Sequence, residues 1–124
     1  MEKLASKQAL LIIDHGSKLE AANQMLEGVV ELVRELRPSL IVEGCHMELA
    51  DPSIEHGMAK CVEQGAQSLV AMPYMLSPGR HATSDIPNLV HQSAKAYPGL
   101  EVSVAKHLGV HKNIAELVLE RASL

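Results

Sequence analysis

The sequence predicts a three-layer α/β domain built on a four-stranded parallel sheet, in the order βαβαβαβα. Two observations carry this prediction. "QALLIID", residues 8–14, is an unbroken aliphatic run, the pattern of a strand buried on both faces. Strand-like and helix-periodic segments then alternate to the end of the 124 residues. Such alternation specifies parallel strands joined by right-handed helical crossovers, with helices on both faces of the sheet.

Each element has its own signal. After the first run comes "HGS", and Ser17 with Glu20 has the spacing of a capping box, which marks a helix start. Ala22, Met25, Leu26, Val29, Val33 and Leu36 form one stripe at helical spacing, and Pro38 ends it. "LIVEGCHMELA", residues 40–50, is the second strand. Asp51 is placed to cap the next helix, with Pro52 in its first turn. Ile54, Met58 and Cys61 follow at helical spacing, and Gly65 terminates them. "SLVAMPYM", residues 68–75, is the third strand. Residues 84–97 are the third helix, with Ile86, Val90, Ala94 and Tyr97 on one side. Pro98-Gly99 punctuates, and "LEVSVA", residues 100–105, alternates as a fourth strand. Ile114, Leu117, Val118 and Arg121 belong to a last helix.

The length fits a single domain, residues 1–124. With 47% hydrophobic and 21% charged residues, a packed core is expected and disorder is not. There is no Phe or Trp and there are only two Tyr, which argues against stacking platforms for single-stranded nucleic acid. The net charge of −4 gives no general basic footprint for nucleic acid or an anionic membrane. Cys45 and Cys61 are too far apart for a Cys-x-x-Cys motif and read as reduced thiols of a cytosolic protein. No apolar stretch is long enough to span a bilayer, and residues 1–7 lack the apolar segment of a signal peptide. A cytoplasmic location is the expectation.

In sheets of this kind ligands bind outside the carboxyl ends of the strands. That rule selects Asp14, His15, Gly16 and Ser17 after the first strand, and His46 and Glu48 at the end of the second. It adds Pro78, Gly79, Arg80 and His81 after the third, and His107 and His111 after the fourth. Two histidines and a carboxylate on one rim make a metal-capable set. Each residue also has a plainer reading. His15 serves equally as a loop histidine bonded to backbone, and Glu48 as a solvated carboxylate. His46 shares a strand face with Glu48 and either orients it or packs. His107 and His111 have i, i+4 spacing, with Gly109 between them at a strand-to-helix junction, which weakens the match to a helical metal pair. His56 and His91 read as surface or packing residues. Asp14 is placed to bond loop amides. There is no Gly-x-Ser-x-Gly elbow, and "DHGSKLE" has a single glycine, so it is neither a dinucleotide fingerprint nor a P-loop.

"DHGSK", "HMELADPSI" and "PGRHATSDIP", in this order at three strand ends, resemble the small class II tetrapyrrole chelatases, the sirohydrochlorin chelatases of the short CbiX and SirB type. The resemblance runs from about residue 10 to about residue 119 and is nearest to the ferrochelatase branch that makes sirohaem. The cobalt-inserting branch of cobalamin synthesis is similar. The resemblance implies a flavodoxin-like, chelatase-like fold. It also implies that His15, Glu48 and His81 handle the metal and the macrocycle protons, and that the active form is a homodimer. Lys18 stands where the family often has Arg, which keeps the charge and loses a bidentate fork. Tyr and Met in "MPYMLSPG" stand where relatives often carry Phe. Some relatives carry a cysteine-rich tail with an iron–sulfur cluster; the sequence ends at Leu124 without one, so no such cluster and no permanently bound cofactor is expected.

The chemistry of metal insertion asks for such residues. A divalent ion, Fe2+ or Co2+, replaces two pyrrole N–H protons. Neutral imidazoles suit borderline ions, and histidine titrates near neutrality and so accepts protons. A carboxylate stabilises the ion in transit. Sirohydrochlorin is rich in carboxylates while the chain is acidic, so local positive potential is required. Arg80, Lys18, Ser17, His46 and helix N-termini on the rim are the candidates to supply contacts. Arg80 reads equally as a loop arginine in water. One rim on a domain of this size does not surround a tetrapyrrole, which is a second reason to expect a homodimer. Nickel insertion, a non-catalytic tetrapyrrole or metal carrier, and a flavodoxin-like binding module with incidental histidines are the rival readings.

Overall fold

The computed structural model describes residues 7–77, 79 and 82–124. Four strands, β1 (Gln8–Asp14), β2 (Ile41–His46), β3 (Ser68–Pro73) and β4 (Glu101–Val104), alternate with four helices, α1 (Glu20–Leu36), α2 (Ile54–Glu63), α3 (Ala82–Ala94) and α4 (Lys112–Ala122). The strands form one parallel sheet in the order β2-β1-β3-β4, so the predicted architecture is the observed one. The chain leaves β1 toward β2 on one side and returns to β3 on the other. This makes the β1/β3 boundary the topological switch point, where sheets of this class bind ligands.

β1 is central and explains its own sequence. Ala9, Leu11 and Ile13 point into a core shared with Ile54, Met58 and Cys61 of α2 and Ile86 and Val90 of α3. Ile12 points to the other face, against Leu26 and Val30 of α1 and Val42 of β2. A strand covered on both faces needs aliphatic residues at successive positions. β2 lies at a sheet edge. Arg34 of α1 reaches it and donates to the Val42 carbonyl from Nε (3.0 Å) and Nη2 (2.7 Å), satisfying an acceptor there.

The helix boundaries correct the sequence reading at the starts of α1 and α2, and α3 spans Ala82–Ala94 where the sequence predicts residues 84–97, which leaves Tyr97 outside it. α1 begins at Glu20, after an uncapped Leu19, and not in a Ser17–Glu20 capping box. Ser17 Oγ accepts from the Leu19 amide (3.0 Å), a local bond that holds the chain in a turn for one more step before the helix. α2 is capped by Ser53, whose side chain accepts from the His56 amide (3.2 Å); Asp51 and Pro52, joined by a cis peptide, precede the cap. Of the predicted α1 stripe, Leu26 is buried and Val29 and Val33 are half-buried, whereas Met25 and Leu36 are exposed. Val30 takes the central position.

α4 differs from the other helices: none of its residues is buried. On the face of the sheet that α1 covers, Val70 of β3 is also left exposed. No helix among the described residues is long and apolar enough to cross a membrane.

Candidate functional site

The loops after β1, β2 and β3 come together at the carboxyl rim. The pairing of β1 with β2 does not stop at the strand ends: Met47 donates to the Asp14 carbonyl (2.8 Å) and Glu48 to the His15 carbonyl (3.1 Å). On the other side the Tyr74 amide donates to the Ile13 carbonyl (2.6 Å). The loop bearing His15 is therefore held between the other two by main-chain bonds, and its geometry follows from sheet register.

Gly16 is the point of closest approach. Its φ is +88°, and a Cβ built there would lie 1.8 Å from the Glu48 carbonyl oxygen. Only glycine allows both the left-handed backbone and this contact. The consequence for the site is that His15 and Glu48, 33 positions apart in sequence, sit on abutting backbones with exposed side chains. A Cβ built on Gly79 would lie 3.7 Å from His15 Nε2, so Gly79 lies against the His15 ring.

Beneath the rim, His46 and Asp14 form a pair. They face each other in the β1–β2 register, and His46 Nδ1 lies 2.5 Å from Asp14 Oδ1. His46 is 4% exposed, and its amide donates to the Pro52 carbonyl (2.8 Å). The expectation that His46 and Glu48 share a strand face is corrected: β2 ends at His46, and the chain turns through Leu49, at φ +70°, before α2. His46 thus bonds to Asp14 below, while Glu48 belongs to the turn above.

Ser17 is half-buried, and the buried Asn23 fastens it by two bonds, Ser17 amide to Asn23 Oδ1 (2.9 Å) and Asn23 Nδ2 to the Ser17 carbonyl (2.8 Å). The sequence reading missed Asn23; its signal is a polar residue on the buried face of an otherwise apolar stripe. Lys18 is exposed and has no ion-pair partner among the described residues. Arg80 and His81 lie outside the described residues, and among those described no three His, Cys, Asp or Glu side chains form a group able to hold a metal ion. His107 lies in the loop after β4, and His111 is the N-cap residue of α4, so they are not a helical i, i+4 pair. His56 and His91 are exposed on α2 and α3, as surface residues. Cys45 and Cys61 are both free and fully buried below the rim. Burial, with the nearby Glu43 carboxylate, pushes the Cys61 thiol up to about 12; burial, with Cys61 and Asp14 nearby, raises Cys45 as well.

Comparison with known proteins agrees with this geometry. A sirohydrochlorin ferrochelatase from Arabidopsis thaliana chloroplasts is 39% identical over 118 residues, covering 95% of this chain and 52% of the relative. The sirohydrochlorin ferrochelatase of Bacillus subtilis is 32% identical over 115 residues, covering 93% of this chain and 44% of the relative. The crystal structure of the sirohydrochlorin chelatase SirB from Bacillus subtilis subspecies spizizenii in complex with cobalt superposes with a TM-score of 0.86 at 32% identity. It covers 94% of this chain and 50% of that one. The chain spans about half the length of the curated relatives it matches. The CbiX family model matches residues 9–123, which is nearly all of the sheet and its helices, and on this the chain belongs to the CbiX family.

Proposed function

We propose that this chain is a sirohydrochlorin chelatase that inserts a divalent metal ion, Fe2+ in the first instance, to give sirohaem. The observation that carries the reading is the abutment of the His15 and Glu48 backbones at the switch point, with Gly79 against the His15 ring. A planar macrocycle needs an open rim with an imidazole and a carboxylate side by side, and this rim presents both in exposed positions. Two of the most similar relatives are named ferrochelatases. Co2+ is the second reading, because a relative 37% identical over 83 residues is named a cobaltochelatase.

The metal is a substrate in this scheme. His15 offers a neutral imidazole nitrogen that either holds the arriving ion or takes a pyrrole proton. Glu48 stabilises the ion as it sheds water. His81 is the third member, two positions beyond Gly79 in the sequence. Asp14 and His46 act from below as positioning residues: the buried ring ties the ends of β1 and β2 together and so fixes the turn that presents Glu48. Lys18, Arg80 and the Ser17 hydroxyl serve the carboxylates of the macrocycle; the Ser17–Asn23 bonds hold that corner rigid. Replacing His15 or His81 with Ala should reduce the insertion rate by about 100-fold or more, read from the change in tetrapyrrole absorbance. Full rates in either variant would remove that residue from the scheme.

The reading extends to assembly and location. α4 exposes Leu117, Val118 and Leu119 at 44%, 61% and 51%, and Val70 leaves part of the sheet open. Those surfaces support a homodimer in which α4 packs against a second copy. A cytoplasmic location fits an enzyme whose two cysteines stay reduced.

A further inference from the structure

A cleft of about 650 Å³ opens beside β4, between the segment leaving β3 and the first turns of α4. Its volume lies within the range of small-molecule sites. Leu76, Val110 and Ile114 supply apolar lining, and Lys106, His107 and His111 supply the polar part. Among the described residues no carboxylate lines it, in a chain with 15 acidic residues against 11 basic ones. The protein is therefore net negative, and this cleft is locally positive or neutral. Lys106 is exposed and unpaired among the described residues.

The ring chemistry of His111 is defined by its cap. His111 Nδ1 accepts from the Asn113 amide (3.0 Å), so the neutral ring carries its proton on Nε2, which is left as a donor. The cleft also lies a few residues along the chain from the proposed active site. Leu108 donates to the Met75 carbonyl and Gly109 to the Leu76 carbonyl, each at 3.0 Å. The chain from Met75 and Leu76 then runs on to Gly79, which lies against His15. One short segment thus has the cleft at its near end and His15 at its far end.

We infer that this cleft is a subsite for the carboxylate-bearing edge of the tetrapyrrole, with Lys106 and His111 as its anion contacts and Leu76, Val110 and Ile114 against the ring edge. The inference rests on the chelatase reading and deepens it, because it assigns the residues after β4 to substrate selection. His107 and His111 then serve as donors to an acid-rich ligand and not as metal ligands. An apolar surface beside one lysine and imidazole N–H donors selects for a flat ligand with many peripheral carboxylates over one with few.

The test is a fluorescence titration of the full chain with two metal-free probes, an octacarboxylate porphyrin (uroporphyrin) and a dicarboxylate porphyrin (mesoporphyrin). Lys106→Glu should weaken the octacarboxylate by about tenfold, the worth of a charge-assisted bond, and the dicarboxylate by much less. His111→Asn keeps a good helix cap and should weaken the octacarboxylate by a few-fold. Lys60→Glu makes the same charge change in the last turn of α2 and should leave both affinities within twofold. Unchanged octacarboxylate binding in both Lys106→Glu and His111→Asn, or equal weakening by Lys60→Glu, would overturn the subsite while leaving the chelatase reading standing. A wild-type chain that binds neither porphyrin would overturn the subsite together with the reading it rests on.

Discussion

At Gly16 a backbone angle and a contact make the same demand. The residue is left-handed and touches the Glu48 carbonyl. Gly16→Ala should lower stability by about 2–4 kcal/mol, a strained φ and an overpacked contact together, and should push apart the two loops that carry His15 and Glu48. Urea unfolding measures the first effect, and an unchanged midpoint would contradict it. The buried thiols give a pH dependence. Cys61 is raised from its ordinary value of 9.0 to about 12 in the fold, so the folded thiol stays protonated while the unfolded one ionises. Stability from this group is fully present below about pH 9 and is lost as pH rises toward 12. Cys61→Ala should flatten that decline; equal slopes in the two chains would contradict it. Residue positions at the rim were legible in the sequence because strand ends can be read from aliphatic runs. The Asp14–His46 pair was not, since it depends on β1 and β2 being neighbours in level register, which one-dimensional spacing does not encode.

Elements were legible where their pattern is continuous and less so at their ends. The order of four strands and four helices follows from alternation, yet α1 starts three residues beyond Ser17, because the Ser17 hydroxyl and Asn23 bond locally and delay the helix. Pro52 invited a cap at Asp51, and Ser53 took it. α4 shows what periodicity leaves open. Its apolar positions predict a helix face without saying what covers it, and nothing in α4 is buried within this chain. An eleven-residue helix is marginal alone in water, so packing against a second copy would stabilise it. If α4 forms the proposed dimer interface, Leu117→Lys with Val118→Glu should leave the fold intact and give a monomer in analytical ultracentrifugation where the unsubstituted chain gives a dimer. A wild-type chain that sediments as a monomer, or a variant that remains dimeric, would contradict that role for α4.

For the whole molecule, topology does most of the work of assembling the site. The order β2-β1-β3-β4 sets the first strand between the second and third. The segments "DHGSK" and "HMELA" therefore open on one rim, with Gly79 beside them, although Asp14 and Gly79 are 65 positions apart. The most direct measurement mixes the protein with excess sirohydrochlorin and Fe2+ or Co2+ without oxygen and follows the absorbance of the metallated product. The account predicts many turnovers per chain, faster with Fe2+, and strongly reduced in His15→Ala. A change that stops at one equivalent per chain, as a carrier would give, or no change with either metal, would contradict it.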